Sequence, residues 1–173
     1  MRRPTVSMLT RAAVIAALYA ALTLFSNALG IGSGPIQFRL SEILCVLPAF
    51  TPAALWGLPL GCMLSALFSP LGAGMAADLV FGSLATFLGG VGTRLLRRRP
   101  FLSLLPPILS NALIVPLILS YAYGAEQAIP WLMLSVFCGE GAVLLLPGTL
   151  FRVFLQKNKT VLGLDGRDDG FWR

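Results

Sequence analysis

The chain has 173 residues, of which 57% are hydrophobic and only 12% charged, with thirteen basic residues, seven acidic ones and no histidine. A soluble domain carries about 25% charged residues, so this composition excludes one and describes an integral membrane protein. The missing histidine also excludes imidazole-built zinc sites and Ser-His-Asp chemistry.

The net charge of +6 reports orientation. Arg2, Arg3 and Arg11, then Arg94, Arg97, Arg98 and Arg99, then Arg152, Lys157 and Lys159 each flank an apolar run, as the positive-inside rule predicts. A nucleic-acid surface would interleave basic and aromatic residues on one face, so no nucleic-acid partner is expected. Cys45, Cys62 and Cys138 lie within apolar runs without C-x-x-C spacing and read as small buried residues. No metal and no cofactor are expected. No G-x-x-x-x-G-K-[ST] loop occurs, so any ATP must be hydrolysed by a partner.

In chain order the apolar runs cover about 11–29, 36–50, 53–70, 78–96, 103–121 and 131–155. Crossing a bilayer takes about 20 residues, a length that four of the runs meet or approach closely. The pair 36–50 and 53–70 is short and joined by Thr51-Pro52. Basic residues place both residue 11 and residues 94–99 on the cytoplasmic side, so the chain lies outside at both ends of 36–70. A hairpin of two short spans satisfies that parity and a single long span does not. The expected fold is therefore an all-α bundle of six transmembrane helices with both termini cytoplasmic and Arg39 the lone external cation. Residues 30–35, 70–77 and 122–130 form its outer face. The first run follows a basic stub, as a secretory signal does, but its apolar core is long and reads as an uncleaved helix. Residues 156–173 read as a polar, disordered cytoplasmic tail.

Alanines at 12, 16 and 20, and at 13, 17 and 21, form two small-residue ridges on the first helix. Such ridges let helices approach closely in lipid, either inside the bundle or against a partner. In the next segment Arg39 and Glu42 are helix neighbours by spacing. They either contact a substrate or pair with each other to anchor the second helix. Gln37 has an amide able both to donate to and to accept from a ligand, or is merely a polar residue at a helix start. Phe38, Phe68, Trp56 and Trp131 suit an aromatic belt; of these, Phe38 is the one expected to contact a ligand. Asp78 opens the fourth run, where an acid serves as N-cap or first-turn partner of the dipole, or waits at the outer mouth for a ligand. Asn111 lies within the fifth run as interhelical glue or ligand contact. Glu140, between Gly139 and Gly141, would cost roughly 2.5–3.5 kcal/mol as a lone carboxylate in a span. It needs a ligand, or protonation or an arginine. Asp165 to Asp169 resembles a calcium loop only superficially, because the chain ends before the twelfth-position glutamate.

The segment GPIQFRLSE (34–42) resembles the signature of the QueT family, the substrate-binding S components of energy-coupling-factor (ECF) transporters. FSPLG (68–72), DLVFGSLAT (78–86), NALIVP (111–116) and GE (139–140) are similar to its later landmarks, in the same order. The resemblance covers about residues 8–155. It implies an S-component-like bundle in the bacterial plasma membrane, with no catalysis of its own. Such a bundle binds queuosine precursors from outside, 7-deazaguanines such as 7-aminomethyl-7-deazaguanine or queuine. It works with a transmembrane coupling protein and two cytoplasmic ATPases. The resemblance further implies a ligand site of Glu140, Glu42, Arg39, Gln37, Asn111, Asp78 and Phe38. Glu140 would accept the ring N–H and the exocyclic amine together, and Asp78 would attract the ammonium of an aminomethyl group. Ala12, Ala13, Ala16, Ala17, Ala20 and Ala21 would dock the coupling protein. The alternatives are an S component for another vitamin or base, and a structural membrane subunit without transport.

Overall fold

The computed structural model describes residues 6–32, 38–68, 75–160 and 162. Among these every regular element is helical, because an apolar backbone in lipid must satisfy its own hydrogen bonds. The elements are α1 (Val6–Ala28), a 3-10 helix η1 (Leu40–Ala49), α2 (Ala54–Leu67), α3 (residues 75–95), α4 (Leu102–Tyr121) and α5 (Ile129–Lys157). Of these, α1, α4 and α5 are long and apolar enough to cross a membrane. The outward faces are apolar all round: Val14, Leu18, Leu60, Leu64, Leu88, Leu113, Leu117 and Leu146 are exposed. Such a surface suits lipid and would not suit water. Cys45 and Cys62 are buried as expected, but Cys138 is exposed on the outside of α5, since a thiol is apolar enough to face lipid. The tail beyond residue 162 lies outside the described residues.

The second apolar run departs most from expectation. It begins its helix at Leu40 and winds as a 3-10 helix of 10 residues, whereas such helices seldom exceed three or four. The 3-10 rise of about 2.0 Å per residue lets ten residues reach about 20 Å, so a short run covers more depth than an α-helix would. This helix occupies the middle of the bundle. Cys45, Val46, Leu44 and Leu47 pack there with Ile15 and Tyr19 of α1, Leu58 of α2, Ile108 of α4 and Leu144 of α5.

Glycines set the closest helix crossings. A Cβ at Gly57 would stand 2.7 Å from the Ala12 carbonyl oxygen, and one at Gly61 would stand 2.7 Å from both the Ala16 carbonyl oxygen and Tyr19 Cβ. Ala12, Ala16 and Ala20 are accordingly buried against α2, while Ala13, Ala17 and Ala21 are exposed. This corrects the expectation that both ridges dock a partner: internal packing consumes the ridge at 12, 16 and 20. A third close crossing joins α3 to α4, where a Cβ at Gly89 would meet Pro107 Cα at 2.7 Å.

One end of the bundle gathers the basic residues. Arg94 Nη1 donates to the Pro48 carbonyl at 3.2 Å, a cation at the negative end of η1. Buried Arg152 donates through Nη1 to the Pro100 carbonyl and the Ser103 hydroxyl, and through Nη2 to the Arg97 carbonyl, tying α5 to the connection between α3 and α4. Its guanidinium lies 5.7 Å and the Lys159 ammonium 5.6 Å from the centroid of Phe50, at cation–π range. A Lys at 152 has one compact ammonium and cannot span these acceptors. Arg152→Lys is expected to destabilise the bundle by about 1.5–3 kcal/mol, the range for hydrogen bonds to charged groups. An unchanged melting temperature in detergent would remove Arg152 as a clamp.

Candidate functional site

A polar stripe on α1 builds the site from the C-terminal end of that helix backwards. Ser26, Thr23 and Tyr19 recur at helical spacing, and each holds one residue of η1. The Leu40 amide donates to Ser26 Oγ at 3.0 Å, Thr23 Oγ1 donates to Ser41 Oγ at 2.8 Å, and Tyr19 Oη donates to Glu42 Oε1 at 2.6 Å. With three residues per turn, a 3-10 helix eclipses positions three apart, which brings Cys45 under Glu42. The Cys45 thiol donates to Glu42 Oε2 at 3.0 Å. From α4, Asn111 Nδ2 reaches both Glu42 Oε2 at 3.3 Å and Glu140 Oε1 at 2.9 Å. Glu42, Asn111, Glu140 and Tyr19 are all buried.

The result is two carboxyl groups from η1 and α5 joined through one amide from α4, in which the two acids differ. Glu42 has donors on both oxygens. Glu140 uses Oε1 alone, and its Oε2 is buried without any hydrogen-bond partner among the described residues. A polar atom left so in an apolar interior costs about 1–3 kcal/mol and calls for a donor from elsewhere. Gly141, next in the chain, is buried, yet a Cβ built there meets nothing within 4 Å. The interior therefore has room beside this turn of α5.

Arg39 precedes η1 and does not pair with Glu42, whose oxygens are taken by Tyr19, Cys45 and Asn111. Its guanidinium instead lies in the fields of Asp78 and Glu42. Burial opposes its charge, but these carboxylates prevail and leave Arg39 above its usual range. The N-cap reading of Asp78 is also corrected. The helix starts earlier, at Met75, and Asp78 opens a wide π turn (Asp78–Gly82) within it. There Asp78 Oδ2 accepts the Tyr123 hydroxyl at 2.7 Å. Partial burial first, and this bond second, push the Tyr123 phenol above its usual range and keep it a donor.

Three of the seven expected ligand residues, Glu42, Asn111 and Glu140, thus meet in one buried cluster; Arg39 lies between the fields of Glu42 and Asp78, and Asp78 itself is bonded to Tyr123. Phe38 is half-buried at the entry to η1, its amide donating to the Ile31 carbonyl at 2.9 Å. Gln37 lies outside the described residues. Reading the sequence missed Tyr19. Its signal was available: a hydroxyl-bearing aromatic in an alanine-rich span, in step with Thr23 and Ser26, must find a partner inside the protein. No group of three or more His, Cys, Asp or Glu residues able to hold a metal occurs among the described residues.

A family model described as QueT transporter matches residues 9–157. The queuosine precursor transporter QueT of Lactococcus lactis subsp. cremoris is 36% identical over 76 residues, which is 44% of this chain and 43% of that protein. The match thus spans less than half the length of that relative. No solved structure matches the chain.

Proposed function

This chain belongs to the QueT transporter family, and we propose that it is the membrane-embedded substrate-binding subunit of an ECF-type importer that takes up 7-deazaguanine precursors of queuosine. The observation that carries this reading is the unpartnered Oε2 of Glu140, buried beside a second acid that is already satisfied. A deazaguanine presents a ring N–H and an exocyclic amine side by side. One carboxylate, acceptor-only when ionised, takes both. Arg39 and Asp78 would meet the rest of the ligand, and Phe38, at the entry to η1, would stack on it; Gln37 is a further contact proposed on its amide chemistry alone. The name of the Lactococcus relative supports the same substrate class.

In this reading six helices cross the bacterial plasma membrane, both termini are cytoplasmic and the basic end faces inward. A coupling protein and two cytoplasmic ATPases supply the energy. The coupling protein docks on the free alanine ridge of α1, Ala13, Ala17 and Ala21.

The purified protein in detergent is expected to bind aminomethyl-deazaguanine, its nitrile counterpart or queuine far more tightly than guanine or riboflavin. A site that hydrogen-bonds its substrate rejects analogues that leave its buried groups unpaired, at about 1–3 kcal/mol per group. Calorimetric titration measures this directly. Preference for riboflavin, or no binding by demonstrably folded protein, would overturn the substrate assignment.

A further inference from the structure

We infer that the ligand-free site carries one proton on Oε2 of Glu140, and that a ligand must displace this proton in order to load. The inference rests on the reading of Glu140 as the ligand's acceptor and adds a proton exchange to it.

Counting donors places the proton. Tyr19, Cys45 and Asn111 all aim hydrogens at Glu42. A proton on Glu42 would be set against these three donors, so Glu42 is the ionised, acceptor-only member. Glu140 lies one amide away, with Oε1 occupied by Asn111 and Oε2 unpartnered. Two carboxylates this close in an apolar interior do not both stay ionised without matching cations. The titratable and charged groups around them are few. Tyr19 approaches from α1, Cys45 from η1 and Cys62 from α2, while Arg39 stands at the entry to η1 with Asp78 of α3 beyond it. Among the described residues Arg39 is the one cation acting on Glu140. It balances Glu42, and it is shared with Asp78. One proton on Glu140 neutralises the remainder.

The proton and the ligand then compete for the same atom. When two N–H donors arrive at Glu140, the O–H bond at Oε2 breaks, its electron pair stays on the carboxylate, and H⁺ leaves to the outer medium. The two donors then stabilise the charge that the proton had cancelled. A ligand presenting an acceptor instead would keep the proton in place. Proton release therefore reports which edge of the ligand faces Glu140.

Two measurements on the full chain in detergent near neutral pH test this, with nitrile-deazaguanine as an uncharged probe. Infrared difference spectra are expected to show a protonated-carboxyl C=O band in the ligand-free protein. That band should be absent from Glu140→Gln and lost from the unmodified protein on adding probe. Calorimetry of the unmodified protein in buffers of different ionisation enthalpy is expected to count about one proton released per probe bound. This second readout stands even if the variant does not fold. No carboxylic band in the ligand-free protein, a band that survives Glu140→Gln, or binding with no proton release would each overturn the inference. A band assigned to Glu140 in a protein that binds no deazaguanine would support the proton's placement and sink the substrate reading instead.

Discussion

Glu140→Gln is expected to weaken deazaguanine binding by about a hundredfold or more while leaving the bundle at least as stable as before. Two hydrogen bonds to a charged acceptor contribute about 1.5–3 kcal/mol each, and each 1.4 kcal/mol is a factor of ten in affinity. An amide presents one acceptor oxygen and a pair of donors, so it cannot receive a ring N–H and an amine together. Stability should not suffer, because the Glu140 side chain keeps an oxygen for Asn111 Nδ2 and the substitution removes an ionisable group from beside Glu42. Glu42→Gln should do the reverse. There the carboxylate accepts from Tyr19, Cys45 and Asn111, and an amide nitrogen in its place would face donors. Melting temperature and calorimetric affinity, measured together on the two variants, separate a ligand acceptor from a structural one. If Glu140→Gln melts well below the unmodified protein and binds normally, Glu140 is structural and the site lies elsewhere.

Glu42, Asn111 and Glu140 are conspicuous in the sequence alone, and the solvent is the reason. In lipid every polar side chain must be compensated by a partner, a pathway or a ligand, so three polar residues in apolar runs stand out though they lie 69 and 29 positions apart. Their convergence on one amide could not be read, because nothing in an apolar run says which face turns inward. In water, apolar residues mark the buried face; in a bilayer Leu58 is fully buried and Leu60 exposed, and both are leucine. The same ambiguity hid which alanine ridge of α1 is internal. The winding of η1 was equally hidden, since periods of 3.0 and 3.6 residues diverge little over ten residues. Arg39 and Glu42 are neighbours by spacing in either helix. Only the donors converging on Glu42 show why they do not pair.

Gly61→Leu is expected to have the largest effect on folding, and its reason reaches the site. The backbone of α1 passes so close to α2 that even a Cβ at 61 would stand 2.7 Å from the Ala16 carbonyl oxygen and 3.1 Å from Ala16 Cα. Backbone cannot turn aside as a long side chain can. Overpacking a core typically costs about 1–3 kcal/mol, and a whole leucine against backbone should exceed that range and force the helices apart. The same Cβ would press on Tyr19 Cβ at 2.7 Å, the residue whose hydroxyl holds Glu42 at 2.6 Å. Separating α1 from α2 therefore withdraws a donor from Glu42 and loosens the relay through Asn111 to Glu140. The variant should lose its monodisperse peak in size-exclusion chromatography or melt far below the unmodified protein. Any folded fraction should bind ligand more weakly. Gly141→Ala supplies the control: it too adds a Cβ at a buried glycine, but one with nothing within 4 Å, so its melting temperature should barely move. Equal tolerance of both substitutions would mean that α1 and α2 are not held at this distance. Tyr19 would then lose its place in the site, because a hydroxyl reaches Glu42 from α1 only while the small residues at 16 and 61 keep the two helices together.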